Sequence, residues 1–202
     1  MGEPGTPKPY KMPCCSIDSM GKILRTVLPE VTGLTFSDPE NDIAQNQTVI
    51  SSINGKGAIK FKNGEEMYPI KITIVQLENS DKRSTLYLSV GNKPDTLVLQ
   101  LQFESENDSS VKVTSLIQKS KLAIDSTIPK GSGIELYNLI PRLMSALAKE
   151  NNIEYTHEIE RSKTFPIREE KWLETFRDFI RDNGYVYIGN ENIDLWTKSY
   201  TN

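Results

Sequence analysis

Histidine is almost missing from this chain: His157 is the single one in 202 residues. Cysteine is nearly as scarce, with Cys14 and Cys15 standing next to each other. Neighbouring cysteines rarely pair with each other and no third is present, so a disulfide framework is excluded. A metal centre would need more ligands than one distant histidine and this pair supply, so the expectation is no metal and two reduced thiols near a chain end. No apolar run approaches the roughly 20 residues of a membrane span. The opening MGEPGTPKPYKMPCC has no apolar core of a secretory signal. Together these absences point to a cytoplasmic, reducing setting. In that setting the N-x-[ST] matches at Asn46 and Asn107 carry little meaning. A dominant charge is also absent, since 24 Lys and Arg face 27 Asp and Glu. The bases are dispersed, which disfavours nucleic acid and anionic lipid as partners.

What remains is the composition of one globular domain, 37% hydrophobic and 25% charged, long enough for one well-buried core. Residues 1–15 read as a flexible Pro/Gly-rich tail and residues 16–202 as a single domain. Ser16 is placed to cap a helix in which Ile17, Met20, Ile23, Leu24, Val27 and Leu28 recur at helical spacing, up to Pro29. Residues 32–47 read as a loop or short connecting helix. Asn54–Gly57 (NGKG) and Asn63–Gly64 carry hairpin chemistry. IKITIVQL (70–77), STLYLSV (84–90), TLVLQLQF (96–103) and VKVTSLIQ (111–118) follow as strands of a meander. Leu97, Leu99, Leu101 and Phe103 share one side.

The pattern then turns helical. Leu136, Ile140, Leu143, Met144 and Leu147 form one face of a helix that Pro141 either kinks or starts. EYTHEIE is a strand with Tyr155, His157 and Ile159 on one side. Trp172, Leu173, Phe176, Phe179 and Ile180 make a second helical stripe, and Gly184 suits a C-cap. YVYIG and IDLWTK close the chain as two strands. The expected fold is α+β, a mostly antiparallel sheet of about six to seven strands with helices packed on it.

Two segments sharpen this order into a resemblance. KGSGIE, Lys130 to Glu135, lies between a strand and a helix, and FIRDNGYVYIG spans Phe179 to Gly189. They resemble, respectively, the [QR]-x-x-G-x-[GA] acyl-CoA loop and the C-terminal FYEKxGFxxxG pattern of the GNAT family of N-acetyltransferases. The resemblance covers about residues 110–190 and implies a GNAT-like fold. It would place pyrophosphate on Lys130, Gly131 and Gly133, where backbone N–H groups receive it. Three positions depart from the family pattern. Lys130 replaces Arg or Gln, Glu135 brings a carboxylate where Gly or Ala is usual, and Ile180 stands where many members carry an acidic tyrosine.

These departures leave two readings. On the first, the chain is a non-catalytic protein-interaction module, adaptor- or chaperone-like, on a degenerate acetyltransferase-like scaffold. It takes no cofactor and binds a protein partner, and Trp196 and Tyr200 near the C-terminus are candidate partner contacts. On the second it is an acetyl-CoA-dependent N-acetyltransferase acting on an amine, with Glu158 as candidate base. Glu160 and His157, on the same strand, are the remaining acid–base candidates.

Overall fold

The computed structural model describes residues 17–37, 43–44, 47–77, 82–93, 95–119, 127–162 and 170–202. In chain order the elements are α1 (Ile17–Val27), β1 (Val31–Phe36), β2 (Ile43–Ala44), β3 (Gln47–Ile59), β4 (Tyr68–Leu77), β5 (Arg83–Asn92), β6 (Asp95–Asn107), β7 (Ser110–Lys119), α2 (Ser132–Tyr137), α3 (Leu139–Asn151), β8 (Glu154–Ser162), α4 (Glu170–Asp182), β9 (Val186–Tyr187) and β10 (Ile193–Tyr200). The expected tail, with Cys14, Cys15 and the capping Ser16, lies outside the described residues, as do Asn46 and the side chains of Trp172 and Leu173.

The expectation of a six- to seven-stranded sheet is corrected. The strands form one ten-stranded sheet in the order β1-β3-β4-β5-β6-β7-β8-β10-β9, with β2 attached to β3. The sheet is mixed, because β7 and β8 run parallel while the other pairs are antiparallel. Parallel neighbours need a crossover, and α2 and α3 provide it.

Part of the excess over expectation comes from the N-terminal third. Val31–Phe36, which overlaps the 32–47 stretch expected as a loop or short connecting helix, is a strand paired with β3. Asn54–Gly57, expected as a hairpin, lies inside the 13-residue β3. Its glycines serve close approach instead of a turn. A Cβ at Gly55 would stand 2.6 Å from the Phe36 ring, and one at Gly57 would stand 2.8 Å from Val31 Cγ1. The turn chemistry acts at the other site, where Gly64 N–H bonds the Phe61 carbonyl between β3 and β4.

From β4 to β7 the strands alternate as expected. Ile70, Ile72, Ile74, Leu86, Leu88, Val90, Leu97, Leu99, Leu101 and Phe103 face one interior, shared with buried side chains from all four helices. The opposite positions, such as Lys71, Thr73, Thr85 and Gln100, are half-buried or exposed, as antiparallel sheets allow.

Pro141 starts a helix and does not kink one. It lacks an N–H for the Tyr137 carbonyl and its ring crowds that group, so the helix breaks at Asn138 and restarts at Leu139. At the end of α4, Gly184 takes φ 70. Its N–H bonds the Arg181 carbonyl, and Tyr185 N–H bonds that of Ile180. That double closure turns the chain straight back into the sheet. No helix among the described residues is long and apolar enough to cross a membrane.

Candidate functional site

The parallel ladder between β7 and β8 runs from Ser110↔Glu154 to Thr114↔Glu158 and stops. Both strands continue, β7 to Lys119 and β8 to Ser162, so they part beyond that point. Along the free end of β7 lies a cleft of about 1110 Å³, walled by Ile117, Lys119 and Ile134, by Thr175 of α4, and by the loop with Lys130, Gly131 and Gly133. The three residues expected to hold pyrophosphate therefore line one cavity together.

The loop's shape follows from its glycines. Gly131 has φ 91 and nothing within 4 Å of where a side chain would start. A Cβ at Gly133 would touch only Ile117 Cδ1, at 3.4 Å. Ser132 is buried and its hydroxyl donates to the Pro129 carbonyl at 2.8 Å, tying the turn shut from within. Glu135 leaves the loop altogether: its carboxylate accepts the Lys62 N–H at 2.9 Å, in the β3–β4 turn. The charge that would oppose an anion at this loop is engaged elsewhere.

Among the described residues that line the cleft, none is a carboxylate or a histidine. Ile180, the third departure from the family pattern, is buried in the core. Glu158 faces away from the helices and pairs with Lys112 at 2.6 Å, an interaction that raises the lysine pKa. Glu160 is exposed on that same side of the strand. Trp196 is half-buried, edge-on to Phe176 at 6.1 Å. Tyr200 is 6% exposed and sits in the interior.

His157 is fully buried and lies in the middle of a hydrogen-bonded chain. Its Nε2 is 2.8 Å from Ser115 Oγ, which is 2.7 Å from the Tyr137 hydroxyl. On the other side, Nδ1 is 2.5 Å from the Tyr185 hydroxyl, which is 3.3 Å from that of Tyr200. Every hydroxyl along it has a neighbour, so burial leaves none of these groups orphaned. Burial lowers the His157 pKa to about 3 and raises those of Tyr185, Tyr200 and Tyr137. All four groups are neutral near pH 7.

Ser115, His157 and Tyr185 have the spacing of a nucleophile, a base and an orienting group. The set lacks a carboxylate to hold an imidazolium, and a base with so low a pKa draws a serine proton poorly. This hydrogen-bonded chain is suited to fixing four elements and the segment after α4 together. β7 and α2 meet β8 through it, and β8 meets the C-terminal strands.

Sequence reasoning placed His157 on the inward side of its strand but did not find its partners. One signal was present. In VKVTSLIQ the inward phase of Val111 and Val113 puts Ser115, a polar residue, toward the core. Among the described residues no group of three or more His, Cys, Asp and Glu side chains is placed to hold a metal ion. No family model, curated protein or solved structure matches the chain.

Proposed function

We propose that the chain is a non-catalytic protein-interaction module, adaptor- or chaperone-like, on a degenerate acetyltransferase-like scaffold. The observation that carries this reading is that none of the candidate bases Glu158, Glu160 and His157 lines the cleft. Glu158 is paired on the open side of the sheet, His157 is enclosed, and an isoleucine fills the place of the acid. The apolar end of the sheet supports this reading. Val186, Tyr187 and Ile188 are consecutive, 61%, 49% and 54% exposed, and β9 is the last strand in the order. An apolar edge strand is a template for another chain's backbone.

The test has two arms. Purified protein with acetyl-CoA and a panel of primary amines should release no thiol above the uncatalysed rate. Turnover that falls in a Lys130→Ala variant would overturn the reading. In the second arm, a partner recovered with wild type should be lost when Val186 and Ile188 are both changed to lysine.

A second reading, acetyl-CoA binding followed by N-acetyl transfer to an amine, is favoured by one observation: the Glu135 carboxylate is turned onto the Lys62 N–H. Calorimetry with acetyl-CoA separates the two. On this second reading wild type binds in the micromolar range, Glu135→Gly binds equally well, and Lys130→Ala binds several-fold more weakly. On the first reading none of the three gives heat.

A further inference from the structure

The C-terminal unit, β8 with α4, β9 and β10, is joined to the rest of the sheet by a short seam. Five parallel ladder pairs connect β7 to β8, whereas eight antiparallel pairs connect β8 to β10 and ten connect β5 to β6. Parallel pairing is also slightly weaker per residue. His157 lies on this seam, with Val113 as its ladder partner in β7. Its ring bonds Ser115 across the seam and Tyr185 within the C-terminal unit.

The groups that face it are few. β7 presents Ser115 and α2 presents Tyr137 through that serine. The segment after α4 presents Tyr185, and β10 presents Tyr200 and Lys198, the latter directly across the ladder from His157. The Lys198 ammonium donates to the Asn183 carbonyl at 2.5 Å and lies 4.8 Å from the Tyr200 ring centre. No carboxylate among the described residues bonds the imidazole. Glu158, its neighbour on β8, points to the other side of the sheet and is paired with Lys112.

The hydroxyls can rotate so that both ring nitrogens donate, with Ser115 then donating to Tyr137 and Tyr185 to Tyr200. The hydrogen bonds therefore tolerate a proton, but among the described residues no negative charge is placed to balance it. A cation enclosed there is destabilised by desolvation, and the only formal charge across the ladder is another cation.

We infer that His157 is an acid-sensitive latch: protonation opens the β7–β8 seam and frees the C-terminal unit while the β4–β6 meander stays folded. The meander's buried face is aliphatic and aromatic apart from the Ser84 and Tyr68 hydroxyls, neither of which takes up a proton in acid, so acid has little direct purchase on it. Opening exposes the aromatic cluster of Phe176, Phe179, Tyr185 and Trp196, which α4 and the closing strands form. The latch is independent of which molecule the cleft or the sheet edge binds.

The experiment is amide hydrogen exchange by mass spectrometry on the full chain from pH 7.5 to 4.5, corrected for intrinsic rates. Below about pH 6.5 the opening constant of residues 154–200 should rise about tenfold per pH unit and stay well above that of residues 68–107, which open only with global unfolding. In His157→Gln, which keeps a donor and an acceptor but cannot charge, that dependence should disappear. Equal opening constants in the two regions throughout that range would overturn the latch, and so would a His157→Gln variant with the wild-type slope. The regional comparison in wild type decides the matter if the variant does not fold.

Discussion

The β4–β6 meander and the C-terminal unit share one sheet and close their interiors by different chemistry. In the meander, Leu86, Leu88, Leu99, Leu101 and Phe103 are each at most 2% exposed, and the polar side chain buried beside them, Ser84 opposite Phe103, carries no charge. In the C-terminal unit the equivalent layer holds Tyr155, His157, Tyr185 and Tyr200, with Phe176 and Phe179 laid over it. The first kind of core is insensitive to solution conditions and sensitive to lost volume. The second depends on hydroxyl and imidazole groups that must keep both their partners and their neutrality. Stability in the two regions should therefore respond to different perturbations.

The largest expected effect falls on the meander. Phe103→Ala removes a ring that is 1% exposed and should cost about 3–5 kcal/mol in urea denaturation, equally at pH 7.5 and pH 5. A cost that changed strongly with pH would break the contrast between the regions.

Acid should act on the other core. The His157 pKa is lower in the fold than in an unfolded chain, so its stabilising contribution is complete above about pH 6.5. That contribution is lost as pH falls from there toward about 3, because the unfolded form takes the proton first. The slope should approach about 1.4 kcal/mol per pH unit, measured by denaturant titration at a series of pH values. His157→Gln should flatten it.

Tyr185→Phe sharpens the comparison at neutral pH. It removes the oxygen 2.5 Å from His157 Nδ1 and leaves a buried ring nitrogen unpaired. A loss of about 1–3 kcal/mol is expected. Gly55→Ala probes the N-terminal edge, where the new methyl meets the Phe36 ring; overpacking should cost about 1–3 kcal/mol. No change there would restore the turn reading of Asn54–Gly57. The smallest effect belongs to Arg142→Ala. Its bond to Glu30 at 2.8 Å is partly exposed, and less than about 1 kcal/mol should be lost.

Much of the middle of the chain was legible beforehand. Leu97, Leu99, Leu101 and Phe103 alternate, and alternation is a local property of a strand with one face buried. Leu136, Ile140, Leu143, Met144 and Leu147 were equally readable, and all five are buried. Gly184 was readable as a cap because a left-handed residue after a helix is a local demand. Val31–Phe36 was not readable, since its strand state comes from pairing with β3 and its residues alone suggest a turn. Asn54–Gly57 misled for a related reason. The same glycine that permits a turn also permits a ring to lie on the backbone, and only the partner decides between them.

The candidate site divides in the same way. The glycine loop was visible as a motif, and its membership of a cleft came from the approach of β7 and α4. The direction of Glu135 was invisible, because its acceptor role is filled by a backbone N–H 73 residues away in sequence. The Tyr137–Ser115–His157–Tyr185–Tyr200 chain was invisible for the same reason, as its members come from five separate stretches.

The sequence by itself determined the absence of a disulfide framework, the strand and helix periods of the central residues, and the punctuation by Pro141, Asn63–Gly64 and Gly184. Each depends on covalent chemistry or on neighbours within a turn. Only the tertiary structure decided the ten-strand count, the early end of the β7–β8 ladder, and the enclosure of the one histidine among hydroxyls. Those depend on which distant segments meet, and burial gives a lone imidazole its character only after they have met.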